Sequence, residues 1–143
     1  PKNDSEFMDG NFGFTSFLLD KLKEYNNTCP IMISSSIQAA LDNSYGKSKK
    51  AGEELLFSYQ EETGANVYVY RFANLYGKWS KPNYNTVVAT FCYKIARGEE
   101  IIVNDETAII ELCYIDDVVK EFNAWKEIQL QKKDTVLFQK PIL

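Results

Sequence analysis

The chain is 143 residues long, with a formal net charge of −4, no histidine, three cysteines and 45% hydrophobic residues. That is enough for one globular domain with a core, or for a piece of one. Its 16 basic residues stand against 20 acidic ones with no Lys or Arg run beyond a pair, so no nucleic-acid partner is expected. The lack of histidine removes Ser/His/Asp and Cys/His hydrolases and every histidine-based metal site, and no metal is expected.

From Asn11 the apolar residues Phe14, Phe17, Leu18, Leu22 and Tyr25 recur at helical steps, which predicts a helix with that face buried. Beyond Pro30, Ile31-Met32-Ile33 running into Ser34-Ser35-Ser36 reads as a parallel strand buried on both faces. Asp42-Asn43-Ser44 offers a helix cap. The helix that follows would bury Ala51, Leu55, Leu56 and Tyr59, turn Lys50, Glu53, Glu54 and Glu61 to solvent, and stop near Gly64. Val67 to Tyr70 is β-branched and aromatic, a second strand, so strand, helix and strand imply a right-handed βαβ unit. Val87 to Ile95 predicts another helix closed by Gly98, followed by strands at Ile101–Val103 and Ala108–Cys113. Asp116-Asp117 suits the N-terminus of a last helix carrying Val118, Phe122 and Trp125, and the tail from Gln129 is mixed. The alternation places the chain in the α/β class.

Cys29, Cys92 and Cys113 are widely spaced in apolar surroundings and are expected to be reduced core residues. No apolar run reaches the ~20 residues of a membrane span, and the start lacks a signal-peptide layout, so a cytoplasmic protein without membrane insertion is expected.

Tyr45 and Lys49 are four residues apart and share one helix face. An ammonium at ~5 Å from a phenolate, at an effective dielectric of about 20, contributes roughly 3 kcal/mol, about two pKa units. That would bring the tyrosine toward neutrality, where a general acid works best. Gly52, near the same face, leaves room for a flat ligand or a neighbouring backbone. Alone the pair means little, because with nine tyrosines in a lysine-rich chain a Tyr-x-x-x-Lys match arises by chance. Its context carries more weight: the helix follows a buried strand that ends in three serines, whose hydroxyls serve equally well as strand-end and turn groups.

Four segments in order, Ile33-Ser34-Ser35-Ser36, Tyr45-Gly46-Lys47-Ser48-Lys49 with Gly52-Glu53, Arg71-Phe72-Ala73-Asn74-Leu75-Tyr76-Gly77, and Tyr114-Ile115-Asp116-Asp117-Val118, resemble the extended short-chain dehydrogenase/reductases of the NAD-dependent epimerase/dehydratase family. Ser34 to Ala39, the short gap to Tyr45, and Gly77 to Asn85 are similar to the capsular-polysaccharide branch, which reduces a 4-keto UDP-N-acetyl-deoxyhexose. The resemblance implies the C-terminal half of a Rossmann-like doubly wound parallel sheet over residues 1–77, and a small substrate-binding segment with a closing helix over 78–143. It also implies an NAD(P)-dependent nucleotide-sugar oxidoreductase or epimerase, with NADP or NAD as cofactor, a UDP-sugar as substrate and a homodimer as the intact form.

Residue by residue, the resemblance makes Tyr45 the acid that protonates a keto oxygen, and Lys49 its activator and a ligand of the nicotinamide ribose. Ser36 becomes the hydroxyl that orients the carbonyl, with Ser35 as an alternative substrate contact. Asn11 would hold the lysine through water, or serve as a plain cap. Phe72 and Ala73 would pass the nicotinamide, Asn74 would touch the sugar or diphosphate unless it is a turn residue, and Asn85, at the end of the branch-specific loop, would touch the substrate. Ile110 stands where the family commonly places a diphosphate-binding arginine, so Arg97 or Lys81 would have to supply the cation.

A dinucleotide also needs a strand, a glycine-rich turn and a helix N-terminus for its pyrophosphate. Gly10 and Gly13 follow a polar segment, and Ser16 takes the third place. The natural chain is therefore expected to extend upstream by roughly 80 residues that carry the glycine turn, and the isolated 143 residues are not expected to bind the cofactor tightly. The resembled branch also carries a cupin domain downstream. The competing expectation is a non-catalytic binding or assembly domain that keeps the fold, or a Tyr/Lys pair that is merely helix surface.

Overall fold

The computed structural model describes residues 3–131. They divide into two compact units, the first running up to Phe72 and the second spanning Ala73–Ile128.

In the first unit a short helix α1 (Ser5–Met8) runs through a π-helical stretch, Asp9–Gly13, into α2 (Phe14–Glu24). Strand β1 (Ile31–Ser36) follows, then a 3-10 turn (Ile37–Ala40), helix α3 (Ser44–Thr63) and strand β2 (Val67–Phe72). β1 and β2 pair in parallel from Ile31 opposite Val67 to Ser36 opposite Phe72. Both ends of α3 are signalled in the sequence: the Asn43 side chain accepts from Gly46 N–H, and Gly64 closes the helix with φ +72. The core gathers Leu19, Leu56, Tyr59, Ala65 and Val67, with Leu22, Ile31, Ile33, Leu55 and Phe57 packed around it. Tyr59 stays buried because its hydroxyl donates to the Asn27 carbonyl at 2.8 Å.

The buried face of α2 differs from the sequence expectation. Leu19 is buried and Leu22 packs beside it, whereas Phe14, Phe17, Leu18 and Tyr25 are exposed. The helix carries two overlapping stripes, and the one that faces inward continues through the small or polar residues Thr15 and Asn11. A bulky side chain has no room there, because the Asn11 carbonyl lies 2.9 Å from where a Cβ on Gly52 would sit. Gly52 thus accommodates a neighbouring backbone. Glu53, expected at the surface, is 2% exposed.

In the second unit β3 (Asn74–Tyr76) and β4 (Leu112–Tyr114) pair in parallel, and the rings of the facing residues Tyr76 and Tyr114 lie 5.4 Å apart. Helix α4 (Val87–Ile95) and helix α5 (Ile115–Gln131) form as expected, α5 with Asp116 and Asp117 in its first turn and Val118 buried. Gly77, at φ +140, sits where a Cβ would meet Ile115 Cγ2 at 2.5 Å. Just beyond it, Lys78 donates to Asp116 at 3.0 Å and holds that carboxyl below its usual range.

The expected strand Ile101–Val103 does not form, and only the end of Ala108–Cys113 enters a strand. Apolar composition alone does not make a strand without a partner edge. Cys29 and Cys92 are exposed and Cys113 is half-buried, so the cysteines are not core residues. The tail beyond residue 131 lies outside the described residues. Among them, no helix is long and apolar enough to cross a membrane.

Candidate active site

The carboxyl end of β1 and the first turns of α3 bring the sequence-derived residues of the first unit together. The 3-10 turn is short enough to return the chain directly from Ser36 to α3. The Ser36 side chain caps that turn by accepting from Gln38 N–H at 3.2 Å. The same hydroxyl acts on the Tyr45 phenol, lowering its pKa.

Tyr45 is half-buried, and Phe7 of α1 packs edge-on against its ring with centroids 5.3 Å apart. Asp4, just before α1, accepts from Ser44 Oγ at 2.5 Å and ties this segment to the start of α3. Lys49 Nζ donates to the Ser34 carbonyl at 3.2 Å and stands 5.7 Å from the Tyr45 ring centroid.

The electrostatics differ from the sequence estimate. Burial pushes the Tyr45 hydroxyl above the ordinary phenol value, and the hydrogen bond from Ser36 draws it partway back. Burial likewise lowers Lys49 below the usual ammonium range, opposed by the charge of Glu53. The expected depression of Tyr45 by Lys49 is absent because the ammonium is anchored on the Ser34 carbonyl and stands off the ring, so desolvation of the phenol dominates.

Asn11 lies in the π-helical stretch and donates from Nδ2 to Ser48 Oγ at 2.9 Å. Ser48 is fully buried and donates in turn to the Tyr45 carbonyl at 2.7 Å. Asn11 therefore braces the first turn of α3 directly. Ser35 is buried too, and its hydroxyl donates to Glu53 Oε1 at 2.5 Å. Phe72 ends β2 with its ring stacked on that of Tyr70, centroids 5.8 Å apart.

Asn74 and Ala73 belong to the second unit. The Asn74 side chain and backbone N–H both donate to the Glu111 carbonyl at 3.1 Å, fixing the lead-in to β4. An open cleft of about 660 Å³ in this unit is lined by Asn83, Tyr84, Asn85, Phe91, Asn104 and Ile110, among others. Asn85 and Ile110 thus share one cleft. Arg97 does not line it, since its guanidinium stacks 3.6 Å from the centroid of Tyr93. Lys81 reaches its margin, with Nζ 5.6 Å from the centroid of Tyr84.

The sequence reading missed Phe7 and Glu53. Glu53 follows Lys49 at the same spacing as Lys49 follows Tyr45, a signal that was there to be read.

The donor set fits one end of a nicotinamide dinucleotide. A phenol, a serine hydroxyl and an ammonium gather at a strand's carboxyl end, where open α/β sheets bind ligands. The described residues hold no pyrophosphate turn: Gly13, at φ −61 and ψ −48, and Gly10 both lie inside continuous helix.

Residues 3–125 match the NAD dependent epimerase/dehydratase family. Among curated proteins, UDP-2-acetamido-2,6-beta-L-arabino-hexul-4-ose reductase of Pseudomonas aeruginosa is 46% identical over 122 residues, 85% of this chain and 33% of the reductase. The chain thus spans about a third of that relative's length. A crystal structure of the capsular polysaccharide assembling protein CapF from Staphylococcus aureus superposes with a TM-score of 0.74 and 48% identity, covering 90% of this chain and 34% of that one. The dTDP-glucose 4,6-dehydratase of Bacillus anthracis, solved in complex with NAD, is 17% identical with a TM-score of 0.76, covers 85% of this chain and 44% of its own, and shares the Rossmann-like fold. On the family match across residues 3–125 and the paired parallel strands that carry Ser36 and the Tyr45 helix, the chain belongs to the NAD dependent epimerase/dehydratase family.

Proposed function

We propose that this chain supplies the proton-donating half of a nicotinamide-dependent reductase acting on a 4-keto UDP-N-acetyl-deoxyhexose in surface-polysaccharide synthesis. The observation that carries the reading is the Ser36, Tyr45 and Lys49 set at the carboxyl edge of β1. The relatives that act on such sugars or assemble capsule supply the substrate class.

A nicotinamide dinucleotide, when bound, would supply the hydride that the carbonyl carbon needs. Tyr45 Oη gives its proton to the carbonyl oxygen, so carbon and oxygen gain one hydrogen each and the ketone becomes an alcohol. The raised pKa of Tyr45 keeps that proton in place at neutral pH. Ser36 donates to the phenolate left behind and orients the carbonyl. Lys49 would hold the ribose hydroxyls of the bound dinucleotide, and its ammonium keeps the site positive beside Tyr45. Asn85, which lines the second unit's cleft beside Tyr84, is proposed as a further substrate contact. The intact enzyme is proposed to work as a homodimer in the cytoplasm.

The test is the rate of 4-keto sugar reduction by the natural polypeptide that carries these residues, with NADPH and NADH, across pH. The active form of Tyr45 is protonated and its folded pKa is raised. Activity should therefore hold below the ordinary phenol value and fall as pH rises through the higher one. Ser36→Ala removes the group that pulls this pKa down, so kcat should drop and any limb set by Tyr45 should move to higher pH. A Ser36→Ala enzyme with wild-type kcat and an unmoved profile would assign Ser36 to the strand end alone.

A further inference from the structure

Glu53 is a carboxylate in the interior, with its side chain 3% exposed, and its partners are arranged with unusual economy. Arg71 Nε donates to Oε1 at 2.9 Å and Arg71 Nη2 to Oε2 at 2.5 Å, a two-pronged pairing. Ser35 Oγ donates to Oε1 at 2.5 Å. Ser35 and Arg71 are register partners across β1 and β2. One side chain of α3 thus grips a single rung of the sheet from both strands. The next rung is Ser36 opposite Phe72, where the candidate site begins.

The same helix places Glu53 four residues beyond Lys49 and eight beyond Tyr45, so all three follow one face of α3. Only the Glu53 end of this pair is buried, the Arg71 side chain being 46% exposed, and an ion pair with one partner at the surface adds little to stability by itself. The neighbour that the clamp serves is Lys49. Among the described residues, Lys49 is faced by Tyr45 and Glu53 from its own helix and by the Ser34 carbonyl from β1, while Arg71 of β2 is bound to Glu53 itself.

The geometry points to Glu53 as a positioning residue of the reaction site: clamped to the Ser35–Arg71 rung, it fixes the turn of α3 that carries Lys49 and provides the fixed negative charge that keeps Lys49 an ammonium. This role rests on the proposed reductase reading, because it matters to chemistry only if Lys49 serves Tyr45. Burial working against Lys49 and the Glu53 charge working for it agree with the geometry.

The experiment is a pH titration of the Lys49 side chain by carbon-13 NMR in the natural polypeptide, for wild type, Glu53→Gln and Glu53→Asp, with kcat measured alongside. Glu53→Gln should lower the Lys49 midpoint by on the order of half a unit or more, the effect of losing a nearby charge in a half-buried setting. The loss of kcat should grow as pH rises. Glu53→Asp keeps the charge and should keep most of the midpoint. Should Glu53→Gln fail to fold, the pair variant Glu53→Met/Arg71→Met leaves no orphaned ion and is read instead, with the same lowered midpoint expected. A wild-type Lys49 midpoint in whichever of these variants folds would overturn the proposal and leave Glu53 a structural clamp. A wild-type polypeptide that reduces no sugar while the midpoint still moves would count against the reductase reading and leave the Glu53–Lys49 coupling standing.

Discussion

Tyr45→Phe should lower the reduction rate of the natural polypeptide by about 10²- to 10⁴-fold, the usual contribution of a positioned proton donor, and leave its folding intact. The substitution removes one oxygen. It keeps the ring that meets Phe7 at 5.3 Å and stands 5.7 Å from Lys49 Nζ, so packing is retained. What disappears is the proton and the acceptor for the Ser36 hydroxyl. Steady-state rates at saturating substrate, set beside a thermal melt, separate the two effects. A lost rate with an unchanged melt assigns chemistry to the hydroxyl, whereas an unchanged rate would make the Tyr45–Lys49 pair ordinary helix surface and favour a binding or assembly role.

Gly46→Ala should act on the opposite axis and destabilise the fold by about 3 kcal/mol or more, measured by urea unfolding. A Cβ at this position would lie 2.2 Å from the Gln38 carbonyl oxygen and 2.7 Å from that of Leu41. Both belong to main chain that cannot yield easily, because Leu41 N–H donates to the Gln38 carbonyl at 2.8 Å to close the 3-10 turn. Gly46 N–H also donates to Asn43 Oδ1 at 2.7 Å, so displacing Gly46 strains the cap of α3. Since Gly46 adjoins Tyr45, any molecules that still fold should hold the phenol away from Ser36 and lose activity as well. Gly10→Ala is the matched control: nothing lies within 4 Å of its added Cβ, and the change should be neutral or stabilising by up to about 1 kcal/mol. Equal stability of the two variants would show that the 3-10 turn does not press against α3.

The elements closest to the candidate site were the most legible in the sequence, for local reasons. Asn43 and Gly64 carry cap chemistry written in single residues, and Tyr45 and Lys49 share a face through helical period alone. The family resemblance then attached chemistry to a spacing that chance could have produced. Where the reading failed, the deciding partner lay far away in the chain. The inward face of α2 is set by the approach of Gly52, and the choice between its two stripes cannot be made from α2 itself. Ile101 to Val103 is as apolar as β1, but it forms no strand, whereas β1 finds β2. Glu53 reads as one more surface acid until Ser35 and Arg71 are seen on the same rung. The charge argument for Tyr45 counted one ammonium and omitted desolvation, which acts in the opposite direction and is the main cause of the shift.

The central claim is that Tyr45, Ser36 and Lys49 complete a carbonyl reduction by protonating oxygen as hydride reaches carbon. Its most direct test is reduction of a 4-keto UDP-N-acetyl-deoxyhexose by the natural polypeptide with dinucleotide deuterated at the transferable position, followed by mass spectrometry of the sugar. The account predicts a product one mass unit heavier than that formed with unlabelled cofactor, with deuterium on the former carbonyl carbon and formation nearly abolished by Tyr45→Phe. A sugar recovered unlabelled, or labelled equally well by the Tyr45→Phe variant, would contradict it.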